Sequence, residues 1–411
     1  MNVSCNPKYR FATSTIVESA ADIRKRLEQN WIQYLKSNAA RLSMDSIDGS
    51  SPPAVFVGRY GYPKVSVGPM IPPVHGDTMI MDRTELWTGK SLEEIANYRL
   101  SLVRGFKPVR INEVSGRYIE DLQEMAMSSA PAESEAVLEK RPLADSNLEN
   151  EVHLNTEVAP FGPSAPLKSF KTSSPSADNR IEKMYYDGDM KASDAVIRLY
   201  EKGVESSQIH RVLSMGMLGL KKNRKLVPTR WSISAADDMI SENLVKQLSD
   251  NAEITSFEVR QYSHLANYYS IILIPDSVWN FEMIETWFSA NGGSVVASDF
   301  EDARGLDHYP SIAGAYFAAR LAVAEHLAKR GRKAVALVLR DIHPEYVMPV
   351  GVWQIRQGVR EAMKNASANF DSMQKALQFA CSSLSISNSE VMRKSRIYQN
   401  RKTQTRITDF W

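Results

Sequence analysis

Across 411 residues, 50 Lys+Arg stand against 48 Asp+Glu for a formal net charge of +2, which excludes a histone-like polycation and an acidic solvating chain. At 43% hydrophobic and 24% charged residues the composition is that of a globular protein, long enough for about two or three domains. Cys5 and Cys381, the only cysteines, exclude a disulfide scaffold and a four-thiolate zinc site, and no apolar run approaches the ~20 residues of a membrane span.

No signal-peptide core precedes Tyr9 and Arg10, so a cytoplasmic, reducing setting is expected. The first predicted element is a helix over 16–42, where Ile16, Ile23, Leu27, Trp31, Tyr34 and Leu35 recur at near-helical spacing. After Pro52 and Pro53, two β-rich runs (54–57 and 64–67) flank glycines, a proline and aromatics, the pattern of a hairpin. Ser91 followed by Glu94 is a capping box, opening a helix that carries Leu92, Ile95, Tyr98, Leu102 and Val103.

From 128 to 180 the composition shifts to Ser, Ala and Glu punctuated by Pro131, Pro142, Pro160, Pro163, Pro166 and Pro175, which predicts an extended, weakly cored connector and the chain's main boundary. Two short helices follow, over 191–200 and 206–213, with Gly203 between them. A plain helical hairpin is expected, and a helix-turn-helix with His210 and Arg211 exposed is the alternative.

The C-terminal half alternates: strands over 267–274, 294–297 and 334–340, helices over 279–289, 313–330, 351–364 and 371–382. Such alternation predicts α/β or α+β architecture, a mixed sheet flanked by helices, with a helical N-terminal segment and a flexible basic C-terminal tail. The expected organisation is an N-terminal region 1–127, the connector 128–180, an α/β region 181–387 and the tail 388–411.

The sharpest motif is the last octet, Gln404-Thr405-Arg406-Ile407-Thr408-Asp409-Phe410-Trp411. One helical turn would put Ile407, Phe410 and Trp411 on one side as an apolar plug, with Gln404 reaching a separate polar pocket. The octet resembles the PCNA-interacting peptide by which replication and repair proteins hold the sliding clamp. Six cations (Arg393, Lys394, Arg396, Arg401, Lys402, Arg406) face the single acid Asp409 over 391–411, so the segment reads as a mobile tail that presents the plug.

Five further blocks occur in order: SPPAVFVGRYGYPKVSVGPM (51–70), FGPSAPL (161–167), KNRKLVPTRWSISAADD (222–238), GAYFAARLAVAEHL (314–327) and GVWQIRQGVR (351–360). With the octet they resemble the archaeal Nre family of DNA repair proteins, over about residues 51–365 plus the tail. The resemblance implies repair of damaged DNA beside the nucleotide-excision machinery, tethered to PCNA, in a cytoplasmic, nucleoid-associated setting. Many members of that family begin with a four-cysteine cluster taken as a zinc module; here only Cys5 stands there, so no N-terminal zinc is expected.

Two blocks are candidates for touching DNA. In 58–64, glycines allow close backbone approach to phosphate, Arg59 and Lys64 neutralise it, and Tyr60 or Tyr62 can stack an unpaired base; an ordinary β-turn with surface cations is the alternative. In 221–238, Arg224, Lys225 and Arg230 precede Trp231, and a solvated basic face is the alternative there. Asp237 and Asp238 suit a helix start. Asp77, Asp82, Asp299, Glu301, Asp302 and the pair His343 and Glu345 are weak catalytic candidates, since sequence cannot show convergence. No nucleotide loop, HExxH helix, GxSxG elbow or zinc-deaminase signature is present, so catalytic residues are unassigned and no metal or cofactor is expected. The reading is a PCNA-tethered DNA repair factor contacting damaged or branched DNA. A DNA-processing enzyme (a nuclease, or a transferase or hydrolase acting on modified nucleotides) and a non-DNA-binding adaptor are the alternatives.

Overall fold

The apolar spacing over 16–42 produces helix α1 (Ala20–Ser37), which buries Leu27, Trp31 and Leu35 on one stripe. The structure is a computed structural model that describes residues 18–38, 45–142, 161–173, 175–306 and 308–403. Its described residues divide into two compact units, one within 24–240 with 348–353, the other within 241–347 and 354–403 with 18–23. The boundary therefore falls after Ile240 and not in the Pro/Ser-rich stretch.

The first unit is built on a six-stranded sheet: β1 (Ser46–Ser51), β2 (Val55–Val57), β3 (Lys64–Ile71), β4 (Val103–Arg110), β5 (Ala132–Leu138) and β6 (Ser164–Thr172), in the order β1-β5-β6-β4-β3-β2. All neighbours are antiparallel except β4 and β6. The expected connector 128–180 is corrected in its described part, which supplies two inner strands, while 143–160 lie outside the described residues. Pro166 is tolerated in β6 beside Phe106, and Ala136, Leu138, Ala165 and Leu167 are buried, so small and apolar side chains core what the prolines suggested was loop. Backbones run close: a Cβ on Gly68 would lie 1.8 Å from the Gly105 carbonyl oxygen. Gly68→Ala must push β3 from β4, so a loss of about 3 kcal/mol, the upper end of overpacking penalties, is expected in thermal unfolding.

Around that sheet lie α2 (Leu92–Leu100), α3 (Arg117–Met127), α4 (Asn179–Tyr186), α5 (Ala192–Glu201), α6 (Ser206–Ser214) and the start of α7 (Thr229–Leu248). The capping box forms as read, Ser91 Oγ accepting from the Glu94 N–H at 3.2 Å while Glu94 accepts from the Ser91 N–H at 2.9 Å. α5 and α6 make the helical hairpin, packed through Val196, Leu199, Ile209 and Val212. The helix-turn-helix alternative fails, since His210 and Arg211 are buried: His210 Nε2 lies 3.2 Å from Asp237 and Arg211 donates to Asp82 at 2.7 Å.

The second unit carries a sheet of β8 (Phe257–His264), β9 (Asn267–Ile274), β10 (Phe281–Phe288), β11 (Ser294–Glu301), β13 (Val335–Ile342) and β14 (Ala368–Phe370), ordered β11-β10-β13-β9-β8-β14. Only β10 and β13 run parallel in it, and the two-residue strands β7 (Ala252–Glu253) and β12 (Arg332–Lys333) pair separately. Its helices are α8 (Gly314–Arg330), α9 (Trp353–Lys364), α10 (Met373–Cys381), α11 (Asn388–Lys394) and α12 (Arg396–Thr403). Val259, Ile272, Ile284, Leu337 and Leu339 form one core cluster with Ala376, Leu377, Val391 and Ile397. Two mixed, mainly antiparallel sheets flanked by helices make the fold α+β.

The helix expected over 279–289 is corrected to the strand β10. Its glutamates are both buried and satisfied from other elements: Glu285 pairs with Arg340, and Glu282 accepts from Ser395 Oγ at 2.6 Å and from the Arg396 and Ile397 N–H groups at 2.8 and 3.0 Å. The same contacts correct the start of the basic tail. Residues 388–403 fold into α11 and α12, because Glu282 caps α12 and Arg401 donates to the Pro275 carbonyl at 2.9 Å and to Asp276. Among the described residues no helix is long and apolar enough to cross a membrane.

Candidate nucleic-acid interface

The 58–64 turn is shaped by its glycines. Gly61 adopts φ +80°, and a Cβ there would sit 2.7 Å from the Lys64 carbonyl oxygen. The Lys64 N–H closes the turn on Gly61 O at 2.9 Å, and the Gly58 N–H bonds Ser66 O at 2.7 Å, so the aromatics between them project outward. Tyr60 is 79% exposed and Tyr62 50%.

The second block arrives at the same place. α7 starts against the end of β2, where the Val57 N–H donates to Thr229 Oγ1 at 2.9 Å. Trp231, 46% exposed, then packs on Tyr62 with ring centroids 5.3 Å apart at a 52° tilt. A third segment, not read from the sequence, joins them. Lys64 stands opposite Arg110 across β3 and β4, the Ile111 N–H bonds Pro63 O at 3.0 Å, and the Leu226 N–H bonds Ile111 O at 2.7 Å. The 58–64 and 225–231 blocks are thereby laced into one surface.

Arg59, Lys64, Arg110, Lys225 and Arg230 are all exposed on these segments, and none is paired with a carboxylate among the described residues. Arg59 is ordered locally, its guanidinium 5.0 Å from the Tyr60 ring centroid and Nη2 donating to the Tyr60 hydroxyl at 3.2 Å. Unpaired cations around exposed aromatic faces are suited to phosphates and unstacked bases together. Arg224 is different. Its Nε donates to Gly219 O at 2.9 Å, Nη2 donates to Asp187 O at 3.0 Å, and burial pushes its pKa down. It braces the loop rather than facing solvent. Only the register of β3 against β4 reveals Arg110, and that register is a tertiary fact.

The carboxylate candidates do not converge into a nuclease-like set among the described residues. Asp82 takes Arg99 at 3.3 Å and Arg211 at 2.7 Å, and Asp77 caps the Met79 N–H. In the second unit Asp299 accepts from Ser311 and Ile312 N–H groups, Glu301 pairs with Arg320 at 2.6 Å, and Asp302 pairs with Arg304. His343 packs between the rings of Tyr268 and Phe288. A cavity of about 180 Å³ in the first unit has Arg83, Arg180 and Arg211 in its wall, each already paired, with Glu205, Asp178 and Asp82. Gln404, Ile407, Phe410 and Trp411, like Cys5, lie outside the described residues.

Comparison with known proteins adds a family. The domain described as "Archaeal Nre, N-terminal" matches residues 27–291, and "Archaeal Nre, C-terminal" matches 301–410. A protein named DNA repair protein NreB from Archaeoglobus fulgidus is 37% identical over 337 residues, 80% of this chain and 83% of that one. DNA repair protein NreA of the same organism is 35% identical over the same shares. DNA repair protein NreA from Haloferax volcanii is 33% identical over 381 residues, 89% of each chain. No solved structure matches.

Proposed function

Because the chain belongs to the archaeal Nre family, we propose that it is a DNA repair factor that grips DNA through the surface of Arg59, Lys64, Arg110, Lys225 and Arg230 and is tethered to PCNA by residues 404–411. The observation that carries the DNA contact is the meeting of five exposed, unpaired cations around Tyr60, Tyr62 and Trp231. Cations supply affinity without sequence preference, through release of counterions from phosphate. The aromatic faces favour strands whose bases are already unstacked, as in damaged or branched DNA, where stacking costs no melting. The relatives are named DNA repair proteins, and work beside the nucleotide-excision machinery is part of this proposal.

Its test is the salt dependence of binding. Arg59→Ala and Arg230→Ala should each weaken binding to branched DNA and flatten the slope of log K against log salt by about 0.9 per lost phosphate contact. Arg224→Ala should leave that slope unchanged while lowering stability. Binding curves of the Arg59 and Arg230 variants that overlay the unsubstituted protein would sink the DNA interface and leave a PCNA-held adaptor.

A further inference from the structure

Three side chains far apart in sequence meet at the opposite end of the first sheet: Asp48 on the outer strand β1, Glu133 on its neighbour β5, and His75 on the loop that leaves β3. His75 Nδ1 lies 2.7 Å from a Glu133 carboxylate oxygen and Nε2 lies 3.4 Å from one of Asp48. One donor atom from each residue can be chosen so that all lie within 4.8 Å of one another. Among the described residues this is the one group of three His, Cys, Asp or Glu side chains so placed.

We propose that Asp48, His75 and Glu133 form a binding site for a divalent transition-metal ion of the Zn²⁺ class. The backbone beneath it is built to hold the histidine loop in place. The Ser50 N–H donates to Val74 O at 2.9 Å, the Gly76 N–H to Ser50 Oγ at 2.8 Å, and Thr78 Oγ1 to Ser50 O at 2.6 Å. That approach needs a glycine in β1, since a Cβ on Gly49 would be 2.0 Å from Pro72 O and 2.8 Å from Val74 O. Ser50 stands opposite Glu133 in the β1–β5 register, and its hydroxyl donates to the second carboxylate oxygen. A hydroxyl holding the far side of a ligating carboxylate is the support that metal ligands commonly receive from their surroundings.

The donor set selects the ion. An imidazole nitrogen disfavours Mg²⁺ and Ca²⁺, which take oxygen ligands, whereas one imidazole with two carboxylates suits Zn²⁺. Metal–ligand distances of ~2.0–2.2 Å require the donors to close in by about an ångström, within reach of exposed side chains on a fixed backbone. Only one ring nitrogen can bind, so the ion replaces one of the two present contacts between His75 and a carboxylate. Three protein ligands leave a coordination position for water. The site owes nothing to cysteine and is independent of the DNA-binding surface.

Isothermal titration of the full chain with ZnCl₂, after removal of bound metal by chelator, tests it. One Zn²⁺ per chain should bind, MgCl₂ should give no competing binding, and His75→Ala or Glu133→Gln should weaken Zn²⁺ at least tenfold, the least that loss of a mere supporting partner costs. Circular dichroism of the metal-free variants should match the unsubstituted protein, because the altered side chains are exposed. Cys5→Ser should change nothing. No Zn²⁺ binding, binding indifferent to both substitutions, or binding lost only with Cys5→Ser would each overturn the site.

Discussion

Replacing Phe410 and Trp411 together by alanine is expected to weaken PCNA binding at least ~100-fold and to leave thermal unfolding unchanged. Buried aromatic anchors each carry ~2 kcal/mol or more at a protein interface, so the two together exceed the ~3 kcal/mol of a hundredfold loss even when they do not add fully. Gln404→Ala should cost less, since one polar contact in a rim pocket contributes less than a buried ring. If the two rings instead packed on their own chain, the order would reverse, with stability falling and clamp affinity barely moving. A chain lacking residues 404–411 that still bound PCNA normally would end the tether proposal, whatever the DNA assays returned.

The largest stability effect is expected at Glu285. Its partner Arg340 is buried in the second sheet, with Nε and Nη2 donating to Asn267 Oδ1 at 3.0 and 2.6 Å and Nη1 donating to Glu285. Tyr269 and Trp287 rings flank it, each centroid 5.9 Å away. Glu285→Ala would leave a guanidinium buried without its counter-charge, and such a change costs ~3–5 kcal/mol. Replacing the pair together, Glu285→Leu with Arg340→Met, should be far milder, because the desolvation of both charges is removed along with their attraction. Chemical denaturation of the two variants checks this. A double variant as unstable as the single one would show that the pair stabilises the fold outright.

Local signals in the sequence carried through where the physics is local. The Ser91 and Glu94 cap, the helix 313–330 with its bounds nearly right, and the apolar strands 267–274 and 334–340 all depend on neighbours within a few residues. β10 was illegible because its glutamates are satisfied by Arg340 and by N–H groups at 396 and 397, 55 and more than a hundred positions away. The same holds for β5 and β6, since Pro131 before the one and Pro166 within the other read as breaks until the sheet around them is known. At the candidate interface, Arg59, Lys64, Lys225 and Arg230 were legible as two separate basic blocks. Their union through Thr229 and Trp231, the addition of Arg110 and the inward turn of Arg224 were not: Thr229 and Trp231 meet residues far away in sequence, the β3–β4 register adds Arg110, and the Gly219 and Asp187 carbonyls hold Arg224.

The docking of α12 has a consequence in distance. Because Glu282 and Asp276 pin this helix to the second sheet through Thr403, only the octet 404–411 separates a fixed anchor from Trp411. Eight residues drawn out fully reach ~28 Å, at ~3.5 Å each. A sliding clamp held by that octet would therefore carry the second unit almost against its own surface, with a small swept volume. Tethers of this length hold their cargo at about millimolar effective concentration, so DNA near the clamp would meet this protein at concentrations that free diffusion in the cell would not supply.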